Sequence, residues 1–212
     1  MSRSRFAPDA AFVVVEGIEG SGKSTLLAAL AGRLRSEGQD PFVTREPGGT
    51  PVGDAVRALF LDRSVAIAPL TEALLVNAAR AQHVSDAIRP ALEAGRTVLC
   101  DRFVDSTLAY QGYGRRMDLP FLRELCEAAT GGLTPGFTLL VDVPIDVSRA
   151  RTQSRARDAD RLESEDDAFH ERVRRGYLEL AKLPGHCVID GTLPADRVLE
   201  RALQLLRTER VT

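Results

Sequence analysis

The sequence predicts an α/β fold of three layers, with a five-stranded parallel sheet between helices on both faces. Three observations predict it. Short runs rich in β-branched residues alternate with helical patterns along the whole chain, which is how parallel strands are joined by crossover helices. The run Phe137-Thr138-Leu139-Leu140-Val141 is apolar almost throughout, as a central strand covered on both sides must be. A glycine-rich turn follows the first apolar run and opens at once into a helical pattern.

In chain order, residues 11–15 form the first strand, and Leu26, Leu27, Leu30 and Leu34 mark the helix after it by their spacing. Residues 41–44 form the second strand, which ends in the turn-rich stretch Arg45-Glu46-Pro47-Gly48-Gly49-Thr50-Pro51. Helices are expected over about 53–62 and about 70–94, parted by Pro69. The third strand, 97–100, is stopped by Asp101-Arg102 and followed by a loop-to-helix segment carrying Ser106, Thr107, Tyr110 and Gln111. A helix over about 118–130 leads to the fourth strand, 137–141, ending at Asp142. Helix resumes at Pro144, a charged segment spans about 151–167, and another helix runs to about 182. Residues 187–190 are the last strand and 194–207 the last helix. With no internal repeat, low-complexity tract or long linker, residues 1–212 read as a single domain, of which 1–10 are a flexible N-terminal extension.

A formal charge of −2 and a pI near 6 give no support for a nucleic-acid or membrane partner. Cys100, Cys126 and Cys187 are odd in number and fit no metal-binding spacing, so they read as reduced thiols of a cytoplasmic protein. No apolar run approaches the roughly 20 residues of a membrane span. Phe12 to Val15 is too short for a secretory h-region and runs straight into the glycine-rich turn.

That turn carries the chemistry. Gly17-Ile18-Glu19-Gly20-Ser21-Gly22-Lys23-Ser24-Thr25 satisfies G-x-x-x-x-G-K-[ST] between a strand and a helix, the context of a phosphate-binding loop, or P-loop. Its glycines let successive N–H groups and the helix N-terminus face one concavity. Lys23 is expected between the β- and γ-phosphates of a nucleoside triphosphate, with the Ser24 hydroxyl on Mg²⁺. Lys23 is one of only two lysines in the chain, the other being Lys182, so composition does not explain a lysine there. Ligands of such P-loop NTPase sheets bind beyond the carboxyl ends of the strands. Polar residues gather there after four strands: the loop itself, Arg45-Glu46, Asp101-Arg102 and Asp142.

The loop alone leaves the phosphoryl acceptor open. No Asn-Lys-x-Asp base-reading motif of switch GTPases and no Leu-Ser-Gly-Gly-Gln helix start of transporter ATPases is present. Transfer between two anions instead needs scattered arginines and a basic lid that excludes water. Arg45, Arg80 and Arg102, with Arg149, Arg151, Arg155, Arg157 and Arg161 in the lid segment, meet that need.

Thr44-Arg45-Glu46-Pro47-Gly48-Gly49-Thr50, then Ala78-Ala79-Arg80-Ala81-Gln82, then Asp101-Arg102-Phe103-Val104-Asp105-Ser106-Thr107-Leu108-Ala109-Tyr110-Gln111-Gly112 resemble the successive motifs of bacterial thymidylate kinases. The resemblance continues through Asp160-Arg161-Leu162-Glu163 to Arg175-Gly176-Tyr177-Leu178-Glu179-Leu180. It implies phosphoryl transfer from ATP to dTMP, giving ADP and dTDP, in a Mg²⁺-dependent homodimer.

By that resemblance Glu19 reaches the deoxyribose 3′-hydroxyl and the metal region, and Asp101 lies near Mg²⁺ or its waters. Arg45 and Arg102 hold the acceptor phosphate, Pro47 sets the angle of Glu46 and Arg45 through an often cis bond, and Glu163 is a lid carboxylate near the acceptor. Arg80 and Gln111 meet the thymine edge, Ser106 and Thr107 line its pocket, and Tyr110 packs near the 2′-carbon and selects deoxyribose. Gly20 stands where eukaryotic-type relatives place a catalytic arginine, so the lid supplies that charge, with Arg155 and Arg157 as candidates. Two positions depart from the pattern. Val76 stands where a phenylalanine usually stacks on the base, and Phe103 where tyrosine or histidine is common. Two other readings are a kinase with a different acceptor and a nucleotide-binding module without catalysis.

Overall fold

The computed structural model describes residues 9–154 and 160–208. Its five strands are β1 (Asp9–Glu16), β2 (Phe42–Arg45), β3 (Val98–Asp101), β4 (Pro135–Asp142) and β5 (His186–Asp190), all parallel in the spatial order β2-β3-β1-β4-β5. The chain moves from β1 to one edge, returns through β3, and passes to the other side of β1 for β4 and β5. β1 is therefore the switch point, where ligand crevices form in open α/β sheets.

The helices are α1 (Lys23–Ser36), α2 (Pro51–Leu61), α3 (Pro69–His83), α4 (Arg89–Glu93), α5 (Val104–Thr107), α6 (Leu119–Thr130), α7 (Ile145–Gln153), α8 (Asp167–Leu180) and α9 (Ala195–Thr208). Among the described residues, side-chain caps fix the starts of α2, α6 and α8. Thr50 Oγ1 accepts from Gly53 N at 3.0 Å, Asp118 from Phe121 N at 2.9 Å and Asp166 from Phe169 N at 2.7 Å, each bond contributing about 1 kcal/mol. The start of α1 has no such cap: Gly22 precedes it at φ 104° and offers no side chain. Its first N–H groups are left for an anion.

The sheet is covered on both faces because its strands are apolar on both. Val13 and Val15 of β1 and Leu139 and Val141 of β4 pack with Leu26 and Leu30 of α1 and Val198 and Ala202 of α9. Phe12 and Val14 face the other way, toward Val84, Ile88 and Phe103. On that same side Leu140 joins Leu122, Val173, Tyr177 and Leu180 of α6 and α8. Among the described residues no helix is long and apolar enough to cross a membrane.

Two stretches differ from the expected helices. The one expected over 70–94 is α3 and α4 joined by a π-helical turn, Val84–Ile88, in which Arg89 N donates to Val84 O. The reason lies one residue on: Pro90 has no N–H for the i−4 carbonyl and its ring would strike it, and the wider turn spares both. The segment after β3 is α5 followed by a π-helical stretch, Leu108–Gly114, with Arg115 N on Tyr110 O at 2.9 Å. Asp142 is also placed otherwise than expected. Its two oxygens accept from Nε and Nη2 of Arg174, both at 2.8 Å, so it ties β4 to α8 and does not line the site cavity.

Candidate active site

A cavity beyond the carboxyl ends of β1, β2 and β3 runs from the phosphate loop to the base of α3. At one end are Glu19, Gly20, Lys23 and Ser24. At the other are Val76, Arg80, Thr107, Tyr110 and Gln111, with Arg45, Pro47, Arg57, Asp101, Arg102, Ser106 and Glu163 between.

Lys23 Nζ donates to the carbonyls of Gly17 at 2.9 Å and Ile18 at 2.8 Å, so the loop itself holds the ammonium in place. Burial lowers its pKa to about 8, with help from the charge of Arg102 and against Asp101, Glu19 and Glu16. Ser24 Oγ donates to Asp101 Oδ2 at 3.1 Å, while Asp101 Oδ1 is buried without a hydrogen-bond partner. One hydroxyl and one carboxylate with a spare oxygen, beside a phosphate cradle, is a donor set that fits Mg²⁺, which keeps waters and phosphate oxygens as its other ligands.

Gly20 decides part of the chemistry by its lack of a side chain. At φ 71°, a Cβ there would lie 2.7 Å from Ser148 O of α7, whose Ser148 Oγ donates to Glu19 O at 2.7 Å. Helix α7 packs so closely on the loop that no arginine fits at this position.

Arg102 is the centre of the cavity. Its Nη1 donates to Tyr177 Oη at 2.8 Å and Ser106 Oγ at 3.2 Å, and its Nη2 to Glu19 Oε1 at 2.6 Å and Tyr110 Oη at 3.3 Å. Burial works to lower its pKa, but the tyrosine hydroxyls and the carboxylates of Glu19 and Asp101 outweigh burial and hold it well above its usual value. Burial likewise works to raise Glu19. The charges of Arg102 and Lys23 and the 2.5 Å bond from Tyr110 Oη bring it down to about 2 instead, so Glu19 is ionised at any working pH. Arg45 is 60% exposed, with Asp54 at 4.0 Å, a weak contact that leaves it available to a ligand. Arg57, which sequence reading misses, lines the same cavity and donates to Pro47 O at 3.1 Å. Burial and then the repulsion of Arg45 and Arg102 lower its pKa, a strain that an anion among the three guanidiniums relieves.

At the far end Arg80 is held on four sides. Nε donates to Glu46 Oε2 at 2.8 Å, Nη1 to Asn77 Oδ1 at 2.8 Å and Thr107 Oγ1 at 3.0 Å, and Nη2 to Phe103 O at 2.8 Å. Of the five guanidinium N–H groups, one on Nη2 is left for a ligand. The Glu46–Pro47 bond is cis, and Glu46 points inward to Arg80 and to His83 Nδ1 at 3.1 Å. Gln111 Nε2 donates to Glu72 Oε2 at 3.3 Å.

Over residues 15–202 the chain matches the family profile described as thymidylate kinase. Thymidylate kinases of three bacteria are similar to it over most of their length. That of Deinococcus radiodurans is 51% identical over 189 residues, 88% of this chain and 91% of the relative. That of Thermomicrobium roseum is 52% identical over 191 residues, 89% and 90% of the two chains. That of Desulfovibrio desulfuricans is 51% identical over 197 residues, 89% and 91%. The chain belongs to the thymidylate kinase family.

The parallel sheet and phosphate loop are therefore those of a thymidylate kinase, and the expected reaction class, an ATP-dependent kinase, holds. The lid arginines are less simply disposed. Arg155 and Arg157 lie outside the described residues. The described members of the run are occupied: Arg149 pairs with Asp167, Arg151 Nη1 donates to Gly191 O at 2.9 Å and lies 3.3 Å from Gly20 O, and Arg161 pairs with Glu72 and donates to Phe60 O at 3.0 Å. Arg161 thus anchors the lid root and does not face the phosphate loop. Sequence reading also passes over Glu16, Glu72 and Tyr177 as site residues, and names Glu46 only within the Arg45-Glu46 cluster. Glu46 and Tyr177 lie inside the quoted motifs. Glu16, a carboxylate at the end of an apolar strand, is the clearest unused signal, since a buried charge needs a partner.

Proposed function

We propose that this thymidylate kinase transfers the γ-phosphoryl group of ATP to dTMP, giving ADP and dTDP for dTTP synthesis. What supports this best is one cavity with the Lys23 loop at one end, Arg80 and Gln111 at the other, and Arg102 between them. This reading places a nucleoside monophosphate along the cavity with its phosphate toward the loop.

The acceptor phosphate is already an anion and needs no general base, so catalysis is alignment and charge neutralisation. In this reading Gly17 to Thr25 cradle the donor phosphates and Arg45, Arg57 and Arg102 hold the acceptor phosphate. Arg80 and Gln111 bond the base between Val76, Ser106 and Thr107. Tyr110 excludes a 2′-hydroxyl, Glu19 takes the 3′-hydroxyl, and Glu163 approaches from the lid. The lid, residues 151–167 of a single kinase domain, brings Arg155 and Arg157 to the transferred group. Ser24 and Asp101 hold Mg²⁺, which when bound supplies charge neutralisation at the phosphate oxygens.

A coupled ADP-release assay with dTMP, dUMP, dCMP, UMP and thymidine tests the acceptor. Fast turnover confined to dTMP, with dUMP slower, is the expected result; activity on another acceptor only would overturn the base assignment. Val76→Phe is expected to lower the KM for dTMP severalfold by adding about 0.5–1.5 kcal/mol of stacking, and an unchanged KM would mean that another side chain already stacks there.

The same reading makes the protein a cytoplasmic homodimer. In support, Val52 and Leu59 of α2, Leu70 and Leu74 of α3, and Phe121 of α6 are exposed on three helices that pack in sequence against one another. Sedimentation of the full chain at micromolar concentration checks this, and a monomer would refute it.

A further inference from the structure

Glu16 closes β1 one residue before the phosphate loop and is 1% exposed. Its carboxylate accepts four hydrogen bonds. Oε1 takes Phe103 N at 2.7 Å and Ser106 N at 3.2 Å; Oε2 takes Ser106 Oγ at 2.7 Å and Tyr177 Oη at 3.0 Å. These four donors fill the acceptor sites of an ionised carboxylate. They also bear on one residue, Arg102, in two ways.

The first pair concerns the backbone. Arg102 has φ 72°, a left-handed conformation that a non-glycine residue keeps only when its surroundings impose it. Arg102 N is held by Val15 O at 3.0 Å, and the N–H groups of the next residue and of Ser106 are held by Glu16 Oε1. The turn that lifts Arg102 out of the sheet is thus pinned at both ends from β1.

The second pair concerns the guanidinium. Ser106 Oγ and Tyr177 Oη, 2.8 Å apart, are the two acceptors of Arg102 Nη1. Each hydroxyl has a single proton. With these two protons shared among Glu16 Oε2 and the contact between the hydroxyls, both oxygens turn lone pairs toward Nη1, while Nη2 donates to Glu19 and Tyr110. An acceptor-only carboxylate sorts the polarity of the whole cluster; an amide with its oxygen on the two backbone N–H groups would turn its NH₂ to the two hydroxyls, which would have to accept from it and send their protons elsewhere, reversing that polarity.

We infer that Glu16 is the positioning residue for Arg102, fixing its strained turn through Phe103 and Ser106 and its guanidinium through the Ser106 and Tyr177 hydroxyls. This rests on the reading that Arg102 holds the acceptor phosphate. The surroundings of Glu16 set the pH range in which it is the acceptor-only carboxylate that this role needs. Burial first, and then Asp105, itself 2.8 Å from His186 Nε2, raise its pKa to about 7; Arg102 opposes them. Lys23 and Arg80 also feel its charge.

The test uses the full chain at pH 8, where Glu16 is ionised. Equilibrium binding and steady-state kinetics are measured for Glu16→Gln, for Tyr177→Phe and for Tyr177→Phe in an Arg102→Lys background. Each single variant is expected to weaken dTMP binding at least tenfold and leave the KM for ATP within about twofold, and Tyr177→Phe is expected to add little once Arg102 is replaced by lysine. Should Glu16→Gln fail to fold, Tyr177→Phe, which removes one hydroxyl, carries the same test. The inference is overturned if a folded variant binds dTMP as tightly as the wild type, if ATP and dTMP suffer equally, or if Tyr177→Phe loses as much in the Arg102→Lys background as it does with Arg102 intact. A wild type that takes a different monophosphate overturns the dTMP reading alone, and the same series on that acceptor still tests Glu16.

Discussion

Replacing Arg102 by alanine is expected to lower kcat/KM for dTMP about a thousandfold, roughly 4 kcal/mol of transition-state stabilisation. The guanidinium is held at four points, by Tyr177, Ser106, Glu19 and Tyr110, which engage all four Nη protons, so a phosphate takes over some of these bonds. A planar fork fixed in that way can exchange a hydroxyl partner for a phosphate oxygen without moving far. The substitution also leaves Glu19 without its closest cation, so lost stability must be separated from lost catalysis. Adding Glu19→Gln to Arg102→Ala is expected to restore the melting temperature but not the activity. Near-normal turnover of the alanine variant in a coupled ADP-release assay would remove Arg102 from the mechanism.

Lys23→Ala is expected to lower kcat by about two to three orders of magnitude while dTMP binding stays near the wild-type value. Its ammonium rests on Gly17 O and Ile18 O, inside the loop proposed to receive the donor phosphates. Removing it leaves the buried carbonyls of Gly17 and Ile18 without that donor, about 1–3 kcal/mol each, so the melting temperature is measured beside the rate. Single-turnover rates with saturating ATP, set beside direct dTMP binding, give the answer. A rate within a few-fold of the wild type would show that the backbone N–H groups and α1 carry the phosphates unaided.

The phosphate loop and its neighbours were legible because they are local. Gly17 to Thr25 are contiguous, the spacing of lysine and serine is set by one turn, and the flanking strand and helix show their own periodicity. Arg45, Asp101 and Arg102 were legible for a related reason: each directly follows or ends a strand, and parallel strands deliver their carboxyl ends to one edge. The same rule misplaced Asp142. It too ends a strand, but α8 sets Arg174 against it. Whether a strand-end carboxylate meets a ligand or an arginine depends on a helix 32 residues away in sequence.

By itself, then, the amino-acid sequence determined a parallel α/β sheet, a phosphate cradle, the family and most of the residues that border the cavity. These follow from periodicity, turn chemistry and contiguous motifs, which act over a few residues. Only the tertiary structure decided which charges pair. It turned Arg161 to Glu72, committed four of the N–H groups of Arg80 to Glu46, Asn77, Thr107 and Phe103, brought Arg57 into the cavity, and set Glu16 under Arg102 across 87 to 161 residues of chain. The physical reason is that a long charged side chain reaches several partners within a few ångströms, and burial selects among them by the free energy of leaving any one unpaired. That selection is made by packing between elements far apart in sequence, where no local pattern records it.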